Sequence, residues 1–306
     1  MSHEEAPHSA AYLTDARDDW WNPDWLELLA RRVDLPAARD VLDVGCGKGH
    51  FTRVLARLAP QARVTGVDRE KLWVEEALAA SSRALAAAVP AGSSAPPATR
   101  CHYVEGAAEA LPFPDASFDV VACQTLLIHV RDVVAALREM ARVLRPGGRI
   151  LAAEPNNLAE CYARLVADPA FDLEDALAFV RLQATCEKGK HALGLGYNST
   201  GEGLCGAFAA AGLVELRAWT NDRCQIFLPP HDAPARRVLE QDRVLFDEGG
   251  AIWPLEETRR YFAAGGGDEA AFAELWARAR RAWNARLSPR HTANEGGLFY
   301  VVTGRR

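Results

Sequence analysis

Short, mainly apolar runs alternate with longer stretches of helical pattern over the first half of the chain, between Asp40 and Glu154. This alternation is typical of βαβ units, so it predicts a parallel sheet with helices on its faces. The predicted strands are Asp40 to Val44, Arg63 to Val67, Cys101 to Glu105, Phe118 to Cys123 and Arg149 to Ala153. The predicted helices are His50 to Ala59, Glu70 to Ala88 and Asp132 to Leu144.

The pattern changes after Glu154, where two long insertions interrupt the alternation. The first, Asn156 to Gly203, is predicted to be helical as far as Leu193. It ends in the glycine-rich "GLGYNSTGEG", which suits a mobile hinge. The second, Pro229 to Gly297, is also predicted to be helical. The elements between and after them are a helix from Leu204 to Ala211, a strand from Leu213 to Trp219 and a strand from Leu298 to Val302.

Together these elements predict an α/β fold, a doubly wound Rossmann-like sheet of seven strands with the last strand antiparallel. We expect residues 37–306 to form this domain, with insertions at 156–203 and 229–297 that roof a pocket. Residues 1–36 are expected to form an N-terminal helical cap, with Asn22 as N-cap and Pro23 in the first turn. The turn-rich stretch 90–98 is predicted to be a flexible connection without chemistry.

Composition narrows the class of protein. The 306 residues are 49% hydrophobic and 25% charged, and no apolar run approaches the roughly 20 residues of a membrane span, so we expect a cytoplasmic globular protein. The first ten residues lack the apolar segment of a secretory signal and are expected to fray. A net charge of −6 without a basic block argues against a nucleic-acid partner. Seven cysteines without a C-x-x-C pair predict neither a disulfide framework nor a metal site.

The stretch "VLDVGCGKGH" places Gly45, Gly47 and Gly49 directly after an apolar run. It departs from the dinucleotide fingerprint G-x-G-x-x-G, because the third glycine falls one position early, and it lacks the phosphate-loop pattern. The sequence therefore disfavours NAD and ATP. Asp68 ends the next predicted strand, where a carboxylate can accept both hydroxyls of a ribose. Closely spaced glycines predict either a tight turn or a backbone that something approaches without room for a Cβ atom, and the alternative for Asp68 is a cap of the following helix.

Three further segments accompany this loop, namely "GVDREKLWVEEA", "EGAAEALPFPDASFDVV" and "ALREMARVLRPGGRILAAEP". With them the chain resembles the class I S-adenosylmethionine-dependent methyltransferases, particularly the ubiquinone/menaquinone-type branch. The resemblance implies S-adenosylmethionine as cofactor, with Asp43 and the glycine loop at its amino-acid end, Asp68 at its ribose and Trp73 near its adenine. Many relatives carry Asp where this chain has Ala107, so backbone contacts at Ala108 are expected to matter more. The expected cofactor-contacting residues are Asp43, Gly45, Cys46, Gly47, Gly49, Asp68, Arg69, Trp73, Ala107, Ala108 and Gln124.

Methyl transfer from a sulfonium is an in-line displacement, so it depends mainly on alignment and on removal of water from the nucleophile. A general base helps a hydroxyl acceptor and is dispensable for several others. The expected catalytic residues are His129, Glu154 and Tyr197, with packing against the next helix as the alternative for His129. His191 and Tyr197 are candidates for lining a lid, with a solvated loop as the alternative, and Asn156 and Asn157 are candidates either for substrate contact or for helix capping.

The resulting prediction is a biosynthetic enzyme that methylates oxygen, nitrogen or carbon of a small molecule, without a nucleic-acid or membrane partner. A homodimer is an open hypothesis. Three alternatives stay open: a non-catalytic cofactor-binding regulatory subunit, a nicotinamide oxidoreductase, and an arsenite methyltransferase that uses cysteine thiolates. The thiols considered for arsenite are Cys123, Cys161, Cys186 and Cys224. Trp20, Trp21 and Trp25 form either an aromatic gate over the cofactor or the docking surface of the N-terminal helix.

Overall fold

The computed structural model describes residues 21–87, 97–247 and 253–306, so the predictions for residues 1–20 and 90–96 lie outside the described residues. The strands are β1 Asp40–Val44, β2 Arg63–Asp68, β3 Cys101–Glu105, β4 Phe118–Gln124, β5 Leu144–Pro155, β6 Val214–Thr220, β7 Gln225–Phe227, β8 Ala293–Glu295 and β9 Phe299–Arg305. The α-helices are α1 Pro23–Arg32, α2 His50–Leu58, α3 Lys71–Ala87, α4 Val133–Val143, α5 Asn157–Leu165, α6 Leu173–Ala192, α7 Leu204–Ala210, α8 Ala233–Asp247, α9 Leu255–Ala264 and α10 Glu269–Ala285.

Seven strands of the described part form one sheet in the order β3-β2-β1-β4-β5-β9-β6. Strands β1 to β5 are parallel to one another, and β9 runs antiparallel to both β5 and β6. This confirms the predicted doubly wound, Rossmann-like sheet with an antiparallel last strand. The strand order reverses between β1 and β4, and this reversal opens a crevice at the carboxyl edge of the sheet, where such folds bind ligands.

The two faces of the sheet are covered by different helices. Side chains such as Val41 and Ala122 pack with α1 and α2, whereas Leu42 and Val121 pack with α4 and α7. Successive residues of a strand point to opposite faces, so the parity of a residue fixes its side. The N-terminal helix begins at Pro23 as predicted, but the Asn22 side chain does not cap it and instead donates to Asp222 Oδ2 at 3.1 Å.

The insertions form a separate helical layer with its own apolar cluster, to which α5, α6, α9 and α10 contribute. Phe179 of α6 stacks on Trp283 of α10, with ring centroids 5.2 Å apart. Gly189 of α6 packs so closely on α9 that an added Cβ would lie 1.7 Å from Tyr261 O. The two insertions are therefore one packed unit.

Two features of the strands were not predicted. One is the short antiparallel pair β7–β8, and the other is the start of β5 at Leu144, five residues before the predicted start.

Candidate active site

The glycine loop connects β1 to α2 through three residues in the left-handed region. The φ angles of Gly45, Gly47 and Gly49 are 72°, 50° and 72°, a conformation that costs an L-residue about 1–2 kcal/mol. Gly45 N donates to Val67 O at 2.8 Å, and Gly49 N donates to Cys46 O at 2.8 Å. The loop therefore folds back onto the end of β2, and its shape requires glycine before any ligand is considered.

Neighbouring side chains add a second reason for the glycines. A Cβ at Gly45 would lie 2.6 Å from a methyl carbon of Leu126, and one at Gly49 would lie 2.5 Å from the hydroxyl of Tyr103. We expected the cofactor to be what excludes a Cβ here. At these two positions the protein itself already excludes it, and the expectation was incomplete in that respect.

Asp68 at the tip of β2 holds the loop in place. Its Oδ2 accepts from Gly47 N at 2.8 Å, and its Oδ1 accepts from Glu70 N at 3.0 Å. Burial raises the pKa of this carboxyl, and the two backbone donors oppose that shift. Each carboxylate oxygen has a second lone pair, so the arrangement is compatible with ribose hydroxyls as additional donors. Asp68 therefore serves the loop and the start of α3 as well as any ligand.

Asp43 and Gln124 lie on the same face of the sheet. Asp43 pairs with Ala122 on the neighbouring strand, and Gln124 is two residues after Ala122, so its side chain points to the same side. Asp43 Oδ2 accepts from the Thr52 hydroxyl at 2.6 Å. Gln124 is only 4% exposed, and among the described residues neither its amide oxygen nor its amide nitrogen has a hydrogen-bond partner. A buried amide left unsatisfied costs about 1–3 kcal/mol, so this pair of atoms fits a site that a polar cofactor completes.

The adenine side of the predicted site contains Trp73, whose side chain is buried. Lys48 Nζ lies 5.1 Å from the centroid of the Trp73 ring and 2.9 Å from Glu76 Oε2. The lysine therefore covers the indole, a contact that the sequence prediction missed. Gly106 N donates to Asp68 O at 2.9 Å, and this bond brings the segment with Ala107 and Ala108 alongside β2. Ala108 is buried in the core, so only its backbone remains available.

Two predicted cofactor contacts have side chains directed elsewhere. Cys46 packs with Val74 and Tyr103 beneath α3, and burial, followed by the charges of nearby acids, raises the pKa of its thiol. Arg69 is largely exposed and pairs with Glu70, with an Nε to Oε1 distance of 3.2 Å.

Glu154 is fully buried at the end of β5. Its Oε1 accepts from Leu126 N at 2.9 Å and from Leu127 N at 3.0 Å, and its Oε2 accepts from Ile128 N at 3.4 Å. Burial raises the pKa of this carboxyl to about 7, and the three backbone donors act in the opposite direction. The backbone contacts of Glu154 thus go to the segment that follows β4, and the geometry favours a positioning role over direct contact with an acceptor.

His129 and Tyr197 approach the same region from two parts of the chain. His129 ends the 3-10 turn Leu127–His129 and is half-buried. Gly196 packs against this turn, since an added Cβ there would lie 2.2 Å from Ile128 O. Tyr197 follows Gly196, and its ring lies edge-to-face with that of His191 at 6.4 Å between centroids. The structure therefore brings the glycine-rich segment next to the turn that carries His129.

Other candidates turn out to have structural contacts. Asn156 caps α5 by accepting from Ala159 N at 2.9 Å, and Asn157 donates from Nδ2 to Asn198 O at 2.9 Å. Trp21 stacks on Trp25 at 5.1 Å and packs near Phe299, which favours docking of α1. Among the described residues its indole nitrogen has no partner, so Trp21 joins Gln124 as a buried polar group on this face of the sheet.

The cysteines considered for arsenite lie in different surroundings. Cys123 is a core residue of β4, Cys161 and Cys186 belong to the helical layer, and Cys224 is exposed. Burial raises the pKa of the three internal thiols, which keeps them protonated. Nothing in this geometry supports thiolate binding of arsenite.

A family model described as "Methyltransferase domain" matches residues 42–152. These residues span β1 to the middle of β5, including the glycine loop, Asp68 and Gln124. The segment is a class I S-adenosylmethionine-dependent methyltransferase domain. The cofactor of this domain is S-adenosylmethionine.

Curated relatives match slightly less than half of the chain. A ubiquinone biosynthesis O-methyltransferase of Xanthomonas campestris is 37% identical over 145 residues, which cover 47% of this chain and 54% of the relative. An uncharacterized methyltransferase of Schizosaccharomyces pombe is 35% identical over 124 residues, which cover 40% of this chain and 41% of the relative. The chain thus spans about half the length of the curated relatives it matches.

Solved structures share the fold over most of the chain. A provisionally named methyltransferase from Bacillus halodurans aligns with a TM-score of 0.50 at 18% identity, covering 92% of this chain and 97% of the other. A provisionally named sarcosine dimethylglycine methyltransferase from Galdieria sulphuraria aligns with the same TM-score at 17% identity, covering 92% and 84%. Identities this low show the fold alone. Within the described residues, no helix combines the length and apolar character needed to cross a membrane.

Proposed function

We propose that this chain transfers the methyl group of S-adenosylmethionine to a small-molecule acceptor in a biosynthetic pathway of the cytoplasm. The observation that carries the proposal is the coincidence of the methyltransferase-domain match with a preformed cofactor edge. There Asp68 bonds the glycine loop, and Gln124 presents a buried amide without a hydrogen-bond partner among the described residues. Net negative charge and the lack of a basic block support a small acceptor over a nucleic acid. A homodimer stays a prediction that light scattering of the purified protein tests.

The chain has two tasks in such a transfer. When bound, S-adenosylmethionine supplies an electrophilic methyl carbon, and the protein orients that carbon and excludes water from it. The loop backbone, Asp68 and Gln124 hold the cofactor, while α1 and the helical layer of α5 and α6 exclude solvent. His129 and Tyr197 are the side chains that we propose to contact the acceptor.

Glu154 is proposed to act through the turn that follows β4. Its bonds to the backbone of residues 126–128 fix the position of the next residue, His129. A carboxyl whose oxygens accept three backbone bonds is poorly placed to take a proton from an acceptor. We therefore propose His129 and Tyr197, and not Glu154, as the groups that move a proton where the acceptor requires it.

Calorimetry with S-adenosylhomocysteine and NAD as separate ligands tests the cofactor directly. We expect S-adenosylhomocysteine to bind and NAD to be ignored, because the loop lacks the dinucleotide spacing. Binding of NAD alone would overturn the proposal in favour of an oxidoreductase. Formation of S-adenosylhomocysteine from S-adenosylmethionine with candidate acceptors, measured by mass spectrometry, separates an enzyme from a non-catalytic subunit.

The ribose role of Asp68 needs two variants, because the carboxylate also holds Gly47 and Glu70. Asp68→Ala removes both functions and is expected to weaken S-adenosylhomocysteine binding by about 2–3 kcal/mol. Asp68→Asn keeps one acceptor oxygen for the loop. A loss of affinity in Asp68→Asn at unchanged melting temperature assigns the effect to the ligand, whereas unchanged affinity in both variants contradicts the role.

A further inference from the structure

Helix α6 and the segment after it bury a group of polar side chains. We call this group the α6 polar cluster, and its members are Gln183, Glu187, Lys190, Asn198 and Ser199. Each is at most 8% exposed. Polar groups buried to this extent require hydrogen-bond partners, since an unpaired one costs free energy.

Two contacts place the α6 polar cluster at the carboxyl edge of the sheet. Lys190 Nζ donates to Ile128 O at 3.2 Å, and Ser199 Oγ accepts from Leu158 N at 3.0 Å. Ile128 lies in the turn after β4, next to His129, and Leu158 lies in the first turn after β5. Under the proposed function, on which this inference rests, a methyl acceptor enters at this edge. The cluster therefore borders the space that the acceptor uses.

Two acceptor atoms of the cluster remain without partners. Gln183 Nε2 and Ser199 Oγ both donate to Glu187 Oε1, at 3.0 Å and 3.1 Å. Among the described residues, Glu187 Oε2 and Gln183 Oε1 have no hydrogen-bond partner. Both atoms accept hydrogen bonds, and they lie one helical turn apart on the same side of α6. A partner for Glu187 Oε2 or Gln183 Oε1 must therefore be a hydrogen-bond donor, and a donor group with two hydrogens can bond to both oxygens.

Charge distinguishes between possible donors. Burial raises the pKa of the Glu187 carboxyl, and the hydrogen bonds from Ser199 and Gln183 and the charge of Lys190 oppose that shift. Lys190 Nζ is bound to two neutral oxygens, Ile128 O and Asn198 Oδ1. A buried carboxylate with uncompensated charge favours a cationic donor over a neutral one.

We propose that Glu187 Oε2 and Gln183 Oε1 bind the ammonium group of the methyl acceptor, so that the acceptor is a small molecule with a protonated amine. Under this assignment the glycine loop and Asp68 select the cofactor, and α6 selects the acceptor. Glu187 is a binding residue in this scheme and takes no part in bond formation.

Matched pairs of amines and alcohols test the assignment. The probes are n-butylamine against n-butanol, phenethylamine against 2-phenylethanol, and tyramine against tyrosol, each titrated by ligand-observed NMR into protein saturated with S-adenosylhomocysteine. We expect at least one amine to bind about tenfold more tightly than its alcohol, since a charged hydrogen bond is replaced by a neutral one. In Glu187→Gln, which keeps the size and an acceptor oxygen, this preference is expected to fall to about twofold or less.

The control variant is Glu174→Gln, which removes an exposed carboxylate from the same helix and is expected to keep the amine preference. Equal S-adenosylhomocysteine affinity in all three proteins shows that each is folded. If the wild-type protein does not bind S-adenosylhomocysteine, the proposed function is overturned. Retained affinity without an amine preference, or a preference that survives Glu187→Gln, overturns this assignment alone.

Discussion

The cofactor edge of the sheet and the helical layer above it satisfy their buried charges in different ways. At the sheet, Asp68 and Glu154 accept hydrogen bonds from backbone N–H groups of adjacent turns. In the helical layer, Glu187 and Lys190 depend mainly on side chains and on a neighbouring segment. At the sheet these donors lie mainly in turns that directly follow a paired neighbouring strand, whereas in the helical layer the partners require that separate helices and segments pack on one another. The cofactor site is therefore the more autonomous half, and the acceptor side depends on packing.

Gly189→Ala breaks the packing on which the helical layer depends. The new methyl group would lie 1.7 Å from Tyr261 O, so α6 and α9 must separate. We expect the free energy of unfolding to fall by about 3 kcal/mol, measured by urea denaturation. The control is Gly206→Ala in α7, where a Cβ meets nothing within 4 Å and where alanine stabilises a helix by about 0.5–1 kcal/mol. Equal stabilities for the two variants would contradict the close approach.

Glu154, at the sheet edge, is expected to make the stability of the protein depend on pH. Burial raises its pKa from 4.5 to about 7 in the folded chain. Because the folded state holds the proton more tightly, the contribution is complete below pH 4.5 and is lost as the pH rises to about 7, by about 3 kcal/mol. Glu154→Gln is expected to remove this part of the slope. The difference between the two stability curves isolates Glu154, and parallel curves would show that its carboxyl does not titrate in this range.

Gly49→Ala tests the cofactor edge alone. The φ angle of 72° and the Tyr103 ring both oppose a Cβ, so the loop must shift. We expect S-adenosylhomocysteine affinity to fall by about 2 kcal/mol, or about 30-fold, in calorimetry. Gly147→Ala places the same strain at φ 81°, in the β5 strand away from the loop, and is expected to leave affinity unchanged. A similar loss in both variants would indicate general destabilisation.

Lys48→Met has the smallest expected effect. Its ammonium lies over Trp73 and next to Glu76, and both Lys48 and Glu76 are partly exposed. Removal of an exposed cation–π contact is expected to change S-adenosylhomocysteine affinity by about 0.5–1 kcal/mol. Trp73→Leu is the companion variant, which removes the ring and keeps the lysine. If Lys48→Met changes affinity more than Trp73→Leu does, the lysine contacts the ligand directly and does not act through the indole.

Most of the sheet followed from the sequence because its signals are local. The ends of β1 and β3 agree with the predicted ones, and the glycine loop was found from its spacing. The roles of the side chains did not follow so directly. Glu154 was predicted as catalytic from its place at a strand end, but its backbone partners come from a turn 26 to 28 residues earlier in the chain. No periodic signal in the sequence reports such a pairing.

The sequence predicted that the layer above the sheet is helical, but it did not predict that the layer contains a candidate binding site. Helix α6 buries Phe179 and Leu182 together with Gln183, Glu187 and Lys190, so it has polar side chains where a core helix usually has apolar ones. A sequence pattern treats such residues as solvent-facing. Their burial became evident only where α9, α10 and the glycine-rich segment enclose the helix.

Sequence alone determined the parallel order of strand and helix, the glycine loop and the acidic tip of β2, because periodicity, turn chemistry and spacing act over a few residues. The tertiary structure alone decided which buried groups find partners. Asp68 and Glu154 accept hydrogen bonds from the backbone, whereas Gln124, Glu187 and Gln183 keep atoms without a partner among the described residues. Those pairings join segments tens of residues apart, and their energy depends on burial, which exists only once the chain has packed.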